Sequence, residues 1–498
     1  MKFALADTIV FFSFILANII IGVSFYFRNR NSDEFTTGGR VIPSWVVGMS
    51  IFATYVSSIS FLALPGKAYS SDWNSFVFSL SIPVASFIAV KFFVPLYRQI
   101  GSVSAYQYLE LRFGPWARIY ASACYILTQL MRTGAILMLL ALPLNSLFGW
   151  DIRTIIIFTG MAVMIYSILG GIKAVLWTDA IQGIILITGA VTCALFITFS
   201  MPEGPGQLFR IAIENNKFSL GSFGPSLRDS TFWVILIYGL FINLQNFGID
   251  QNYIQRYMAS KSDNAAKSST LFGSLLYLPV SLIFFYIGTA LFSYYSSQPD
   301  LLPESLKQAG TGDKVFPYFI VNSLPAGLTG LLIASIFSAG MSTVSTSLNS
   351  TATIILTDYF RKYSAVKLSQ KQEMRILYIS SFVFGIAGTV IAISLVGVES
   401  VLDAWWALAS VFSGGMLGLF LMGYLVKNAS DKDAIAGIIA GIIIITWMSL
   451  SPVIFRGDSV ARLRSPFNAN LTIVFGTTAI FLTGFLATLL FKRNKTKR

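Results

Sequence analysis

The stretch that decides the fold is Ser50 to Gly66, SIFATYVSSISFLALPG, apolar enough to lie in a membrane yet interrupted midway by Thr54-Tyr55-Val56-Ser57-Ser58. β-Branched and hydroxyl side chains propagate a helix poorly and offer the backbone other hydrogen bonds. The stretch therefore predicts a broken helix that stops at Pro65-Gly66. Irregular backbone at membrane depth is tolerated only where it lines a protein-enclosed cavity, and in transporters solute and ions bind there.

The rest of the chain supplies the membrane setting. Of 498 residues, 55% are hydrophobic and 11% charged, with mean hydropathy +0.70, against about 25% charged in soluble domains. Reading for apolar runs of about 20 residues gives roughly thirteen: 5–27, 45–66, 75–97, 116–147, 153–170, 178–200, 231–248, 269–296, 326–357, 375–395, 402–426, 432–450 and 467–491. The fold class is thus an all-α polytopic membrane protein, one transmembrane domain over 1–498. The run 5–27 is too long for a leader and lacks a small-residue cleavage site, so it is a helix.

Net charge of +13 reads as topology rather than as a nucleic-acid partner. Loops beginning at Arg28, Arg98, Lys173, Arg256, Arg361 and Lys427, with the tail Lys492–Arg498, hold about 22 Lys and Arg, against about 10 on the alternate set. The positive-inside rule places the N-terminus outside and the C-terminus in the cytoplasm of a cell membrane. Cys124 and Cys193 lie inside apolar runs and imply neither a disulfide nor a metal cluster, and the chain has no histidine. The commonest proton relay is therefore missing, though a carboxylate relay is not excluded.

Lys67 and Lys91 lie near span ends and can snorkel, whereas Arg132 falls midway along its run. A central guanidinium costs at least about 2.5 kcal/mol, so it must face a cavity or a partner. One reading pairs it with an intramembrane acid such as Asp179; the other makes it a planar fork for a substrate carboxylate. In the run 326–357, Ser338, Ser342, Ser345 and Asn349 are spaced to form one polar stripe, with Thr343 and Thr346 alongside. Ser338 and Asn349 fit helix packing. Ser342, Thr343, Ser345 and Thr346 fit ligation of a small hard cation beside an acid, and Asp179 is the obvious acid unless its role is structural. The run 231–248 is short and amide-rich, with Asn243, Gln245 and Asn246 followed by Asp250-Gln251. Two interrupted segments at corresponding places point to an inverted repeat with its site at midplane. The spans group as a peripheral helix at 5–27, a first five-helix repeat at 45–200, a second at 231–426, and two peripheral helices at 432–491.

Several short motifs occur in order along the chain: Gly38-Gly39-Arg40, Ser57-Ser58, Lys67-Ala68-Tyr69, Ser71-Asp72-Trp73, Gly170-Gly171, Trp177-Thr178-Asp179, Asp250-Gln251, Gln255-Arg256-Tyr257 and Ser342–Thr346. In this the chain resembles the sodium/solute symporters, which have a LeuT-type five-plus-five fold with a broken first helix in each repeat. Through Arg132, AYSSDW and the hydroxyl clusters it is most similar to bacterial sodium-coupled sialic acid symporters. The resemblance implies two sodium ions. One would be held by the carbonyls of Ala53, Val56 and Ala339 with the hydroxyls of Ser342 and Thr343. The other would be held by Asp179, Ser342, Ser345 and Thr346. It also implies a sialate carboxylate on Arg132, with Tyr55, Ser57, Ser60, Ser79 and Asn243 or Asn246 around the sugar. Glutamine is common in the family where Ser79 stands, and a smaller hydroxyl residue where Tyr55 stands, so the pocket outline differs here.

The expected function is sodium-coupled uptake of sialic acid (N-acetylneuraminate) by alternating access, with an acidic sugar and membrane lipids as partners and no nucleic acid. The alternative is a sodium symporter for another small solute such as proline, a monocarboxylate or a sugar. A sensor on the same fold would carry an appended signalling domain. An intramembrane enzyme would need a nucleophile with its base, and no such pair is evident, so no enzymatic activity is expected.

Overall fold

The computed structural model describes residues 4–25, 31–308, 310–397, 415–455 and 462–495. Among the described residues there is no strand, and β-type pairing is limited to a lone parallel bridge between Ile42 and Ser260. In chain order the helices are α1 (Leu5–Ser24), the short α2 (Ser32–Thr37), the pair α3 (Ser44–Tyr55) and α4 (Ser58–Ser70), α5 (Asn74–Ile100), α6 (Gln107–Phe113), α7 (Pro115–Phe148) and α8 (Ile152–Phe199). After the surface helix α9 (Pro205–Glu214) come the pair α10 (Phe232–Ile249) and α11 (Gln251–Ala259), then α12 (Asp263–Ser297), α13 (Gly312–Asn322) and α14 (Leu328–Ile354). The chain ends with α15 (Gln370–Ser394), α16 (Met416–Leu425), α17 (Asp431–Ile454) and α18 (Thr472–Lys495).

Ten of the described helices are long and apolar enough to cross a membrane, and α3 with α4 makes one more span bent by 53°. At about 1.5 Å per residue, α8 is about 72 Å long, more than twice the hydrocarbon thickness of about 30 Å. It contains the expected runs 153–170 and 178–200, joined at Gly171, whose φ of 56° and ψ of −159° are not helical. A side chain there would also strike the ring of Phe35 at 2.8 Å, so only glycine suits this turn. The expected run 402–426 is seen over α16 alone, because 398–414 lies outside the described residues.

One boundary differs from expectation. The second half of the broken span does not stop at Pro65-Gly66 but continues as helix to Ser70. The reason is packing. A Cβ on Gly66 would lie 2.8 Å from Asp313 Cα in α13, and one on Gly288 of α12 would lie 2.1 Å from the Pro65 carbonyl oxygen. Clamped on two sides by close backbone contacts, α4 is held helical through a proline that would end a free helix.

At the centre stands α14, buried over nearly its whole length, packed against α8 on one side and reaching α3, α4 and α7 on others. That explains why a helix so rich in Ser and Thr is stable in a membrane. Its hydroxyls bond carbonyls one turn back, as with Thr343 to Ala339 (3.0 Å), Ser347 to Thr343 (2.9 Å) and Thr353 to Asn349 (2.8 Å), so few polar atoms need partners elsewhere.

Candidate ion and solute site

The two interrupted spans break in the same way. In α3 the helix ends at Tyr55, Val56 is extended (φ −77°, ψ 114°), and the Ser57 hydroxyl accepts from Ser60 N (3.4 Å) to start α4. In α10 it ends at Ile249, Asp250 is extended (φ −77°, ψ 125°), and its carboxylate accepts from Asn252 N (2.8 Å) to start α11. Each break thus points the carbonyl end of one half-helix and the amide end of the next at the same region. The Ala53 carbonyl, which would accept from the amide of residue 57 in an unbroken helix, loses that partner. The breaks touch each other: Tyr55 stacks on Phe247 with ring centroids 5.4 Å apart, and its hydroxyl donates to Asn243 Oδ1.

Behind the first break lies a fully buried ion pair. Asp179 Oδ2 accepts from Arg256 Nη2 (2.8 Å) and from the Ser50 hydroxyl (2.5 Å), and both charged side chains are 0% exposed. Arg256 also donates through Nε to Ser50 Oγ (2.8 Å), through Nη1 to the Asn252 carbonyl (2.6 Å) and through Nη2 to Thr346 Oγ1 (2.8 Å). Thr346 in turn lies 3.5 Å from Thr54 Oγ1, which ties the break to the stripe on α14. The other carboxylate oxygen, Asp179 Oδ1, and the hydroxyl of Ser342 are buried within reach of one another, and among the described residues neither has a further partner. Buried polar atoms left unbonded are costly, and a carboxylate oxygen facing a hydroxyl is a donor set that fits a hard cation.

The expected loop beginning at Arg256 is corrected by the structure: Arg256 sits in the interior, on α11. Hydropathy ends the span near 248 because Gln251, Asn252, Gln255 and Arg256 are polar, yet each is at most 1% exposed and bonded inside the protein. Gln251 donates to the Val103 carbonyl (2.7 Å), and Gln255 donates to the Thr36 carbonyl and Asn349 Oδ1 (both 2.7 Å). The packing role expected for Asn349 is that last contact. One signal points to Arg256: a lone buried Asp179 requires a cation, and Arg256 is a short way past the second interrupted run.

With Asp179 matched to Arg256, the reading that pairs Arg132 with Asp179 falls. Arg132, on α7, is only half buried, and among the described residues none closes an ion pair or a hydrogen bond with it. Its charge reaches Asp250 at the second break, Tyr253 and Tyr125. Tyr253 lies edge-on to Tyr55 at 6.5 Å, which connects Arg132 to the aromatic wall of the first break.

Of the other residues expected around a solute, Tyr55, Ser60, Ser79, Asn243 and Asn246 come together in one polar and aromatic network. Asn243 Nδ2 donates to Ser81 Oγ (2.9 Å), Asn246 is within hydrogen-bonding reach of the Tyr55 hydroxyl, and Ser79 bonds Ser281 (2.9 Å). The hydroxyl of Tyr277 lies between Ser60 and Ser281, and its ring sits 4.5 Å from that of Tyr55. Ser57 is occupied in capping α4. Tyr277, Ser281, Phe247 and Tyr253 escape sequence reasoning, since nothing distinguishes them there from core aromatics or packing hydroxyls.

Two helix breaks, at Val56 and Asp250, lying against each other beside buried oxygens and an arginine that no described residue bonds, define an ion-coupled secondary transporter. The sequence profile of the sodium:solute symporter family matches residues 35–441. The chain is 34% identical over 493 residues to the sodium/sialic acid symporter SiaT of Proteus mirabilis (strain HI4320), covering 98% of this chain and 96% of that one. It is 30% identical over 464 residues to the human sodium-coupled monocarboxylate transporter 1, covering 91% and 74%. Among solved structures, a substrate-bound, outward-open Na+-coupled sialic acid symporter superposes with TM-score 0.89 at 33% identity, with 98% of each chain covered. The chain belongs to the sodium:solute symporter family, whose members are transporters rather than enzymes.

Proposed function

We propose that this protein carries N-acetylneuraminate or a close acidic sugar into the cell together with sodium. The observation that carries the reading is Arg132, a guanidinium inside the bundle that none of the described residues bonds. A bidentate bond to a carboxylate satisfies that fork in a way no neutral solute can. The named solutes of the sialic acid and monocarboxylate relatives are both carboxylates. The full-length similarity to sialic acid carriers and the polar network of Tyr55, Ser60, Ser79, Asn243 and Asn246 favour the sugar. Ser57, at the break itself, completes the expected set.

Two sodium ions accompany each solute in this reading. The first takes the Ala53, Val56 and Ala339 carbonyls with Ser342 and Thr343. The second takes Asp179, Ser342, Ser345 and Thr346. Asp179 Oδ1 and Ser342 Oγ, buried within reach of one another with no further partner among the described residues, support the second site, and sharing Ser342 would couple the two. The helices would act as two antiparallel five-helix repeats, 45–200 and 231–426, within a cell-membrane protein whose N-terminus is outside and C-terminus inside. Sodium would favour the outward-open form, solute would join, and rocking would release both inside.

Two sodium ions and one monoanion move a net charge of +1, worth about 2.3 kcal/mol per 100 mV. A tenfold sodium gradient adds about 1.4 kcal/mol per ion. The total, about 5 kcal/mol, sustains an accumulation of several thousandfold. The test is uptake of labelled N-acetylneuraminate into proteoliposomes with and without an inward sodium gradient, with proline, a short monocarboxylate and glucose as competitors. Sodium-dependent, electrogenic uptake resisting those competitors is expected. Uptake indifferent to sodium, or abolished by the monocarboxylate at equal concentration, would overturn the assignment.

A further inference from the structure

A groove of about 460 Å³ runs along the outside of the bundle, between α1, the ends of α7 and α8 that meet at Trp150, and α14. Its walls are apolar, built from Phe12, Ile155, Phe158, Phe337 and Met341. Phe12 and Phe158 are exposed on the lipid side of α1 and α8, so the groove opens sideways into the bilayer rather than toward water. Water inside it would find few polar partners, and the natural filling is a hydrocarbon chain.

Acyl chains are interchangeable in such a setting, because the surrounding lipid is as apolar as the wall. Selectivity must come from the end where headgroups lie. There the chain turns from α7 to α8, and Trp150 and Asp151 line the mouth of the groove. A tryptophan at a span end marks the interface. Asp151 caps α8: its Oδ2 accepts from the amide (3.0 Å) and hydroxyl (3.2 Å) of Thr154, and the residue is exposed, so Oδ1 is open to a donor from outside. Asp151 is thus an acid at the mouth of the groove, and it complements a cationic headgroup by accepting from an ammonium that can donate hydrogen bonds.

We infer that this groove is a binding site for a phospholipid with a primary ammonium headgroup, one acyl chain lying between α1 and the bundle and the ammonium held by Asp151. The site is separate from the one between the breaks, although its floor is the reverse face of the helix that carries Ser342.

The experiment is native mass spectrometry of the full protein equilibrated with equimolar phosphatidylethanolamine, phosphatidylglycerol and phosphatidylcholine. The wild type is expected to retain one phosphatidylethanolamine at least about tenfold more often than either competitor. Ala162→Trp, which fills the groove from α8, should abolish that adduct. Asp151→Asn should bring the three lipids to equal retention, because asparagine keeps the cap on α8 but removes the charge; this variant decides the matter if Ala162→Trp does not fold. Equal retention of the three lipids by the wild type, or an unchanged preference in Asp151→Asn, would overturn the proposal.

Discussion

Two arginines lie deep in this bundle and their surroundings could hardly differ more. Arg256 is 0% exposed and its donors are bonded to Asp179, Ser50, Thr346 and the Asn252 carbonyl. Arg132 is half buried, with Asp250 near enough to attract it and, among the described residues, no bond to hold it. A desolvated charge that has its full complement of partners is part of the scaffold. One inside the bundle without them is stable only with a ligand or water supplying what the protein does not. The contrast assigns a structural role to the first and a binding role to the second, and each assignment can be broken separately.

The largest effect is expected from Asp179→Asn. Removing one partner of a buried pair strands the other, at about 3–5 kcal/mol. Thermal unfolding of the purified protein should show a large loss, and the sodium dependence of whatever transport remains should flatten toward a Hill slope near one. Asp179→Asn combined with Arg256→Met should recover much of the stability and none of the second-ion behaviour; a double variant no more stable than the single would mean that the pair is not what Asp179 is chiefly for. Next in size is Ser342→Ala. Among the described residues its hydroxyl has only the Asp179 carboxylate within reach, so the unfolding temperature should scarcely move while half-saturating sodium rises about tenfold, about 1.4 kcal/mol. Loss of stability with unchanged sodium dependence would make Ser342 a packing residue.

The smallest effect is at Glu110, outside the spans on α6, in a cluster that ties α6 to the end of α7 and to the segment following α14. Arg118 bonds Glu110 (2.8 Å) and Asp358 (2.6 Å), and Lys362 also donates to Glu110. Burial alone would push the Glu110 carboxyl up, but the hydrogen bonds from Arg118 and Lys362 outweigh it and hold the group below its ordinary value of 4.5. A depressed carboxyl stabilises the fold above that ordinary value, and the benefit disappears as pH falls through the folded-state value. Wild type should therefore be more stable than Glu110→Gln at neutral pH by no more than about 1 kcal/mol. The gap should close as pH falls below about 4.5. A gap independent of pH would assign the stabilisation to packing.

How much of the molecule is legible in its sequence depends on the kind of signal each feature leaves. The first break is legible because Thr54 to Ser58 contradicts helix locally, and the chain bends within one residue of its middle. The second is visible as a short amide-rich run, with Asp250 as the turning point. Pro65 misleads, because the local tendency of a proline to end a helix is overridden by α12 and α13 pressing on both sides of it. Arg256 is misplaced for the opposite reason: its segment is polar residue by residue and becomes interior only through partners as distant as Thr36, Ser50, Val103 and Thr346. Tyr277 and Ser281 leave no pattern at all, since their significance is their distance from Tyr55 and Ser79.

The most direct test of the account is whether Arg132 reads the carboxylate. Affinity for N-acetylneuraminate and for its uncharged methyl ester should be measured by calorimetry in saturating sodium, on the wild type and on Arg132→Ala. The account predicts that the wild type prefers the acid by at least about 30-fold, the lower end of the 2–5 kcal/mol for a buried charge pair, and that Arg132→Ala binds the two alike while its sodium binding persists. An Arg132→Ala protein that still prefers the acid by the wild-type margin would contradict it.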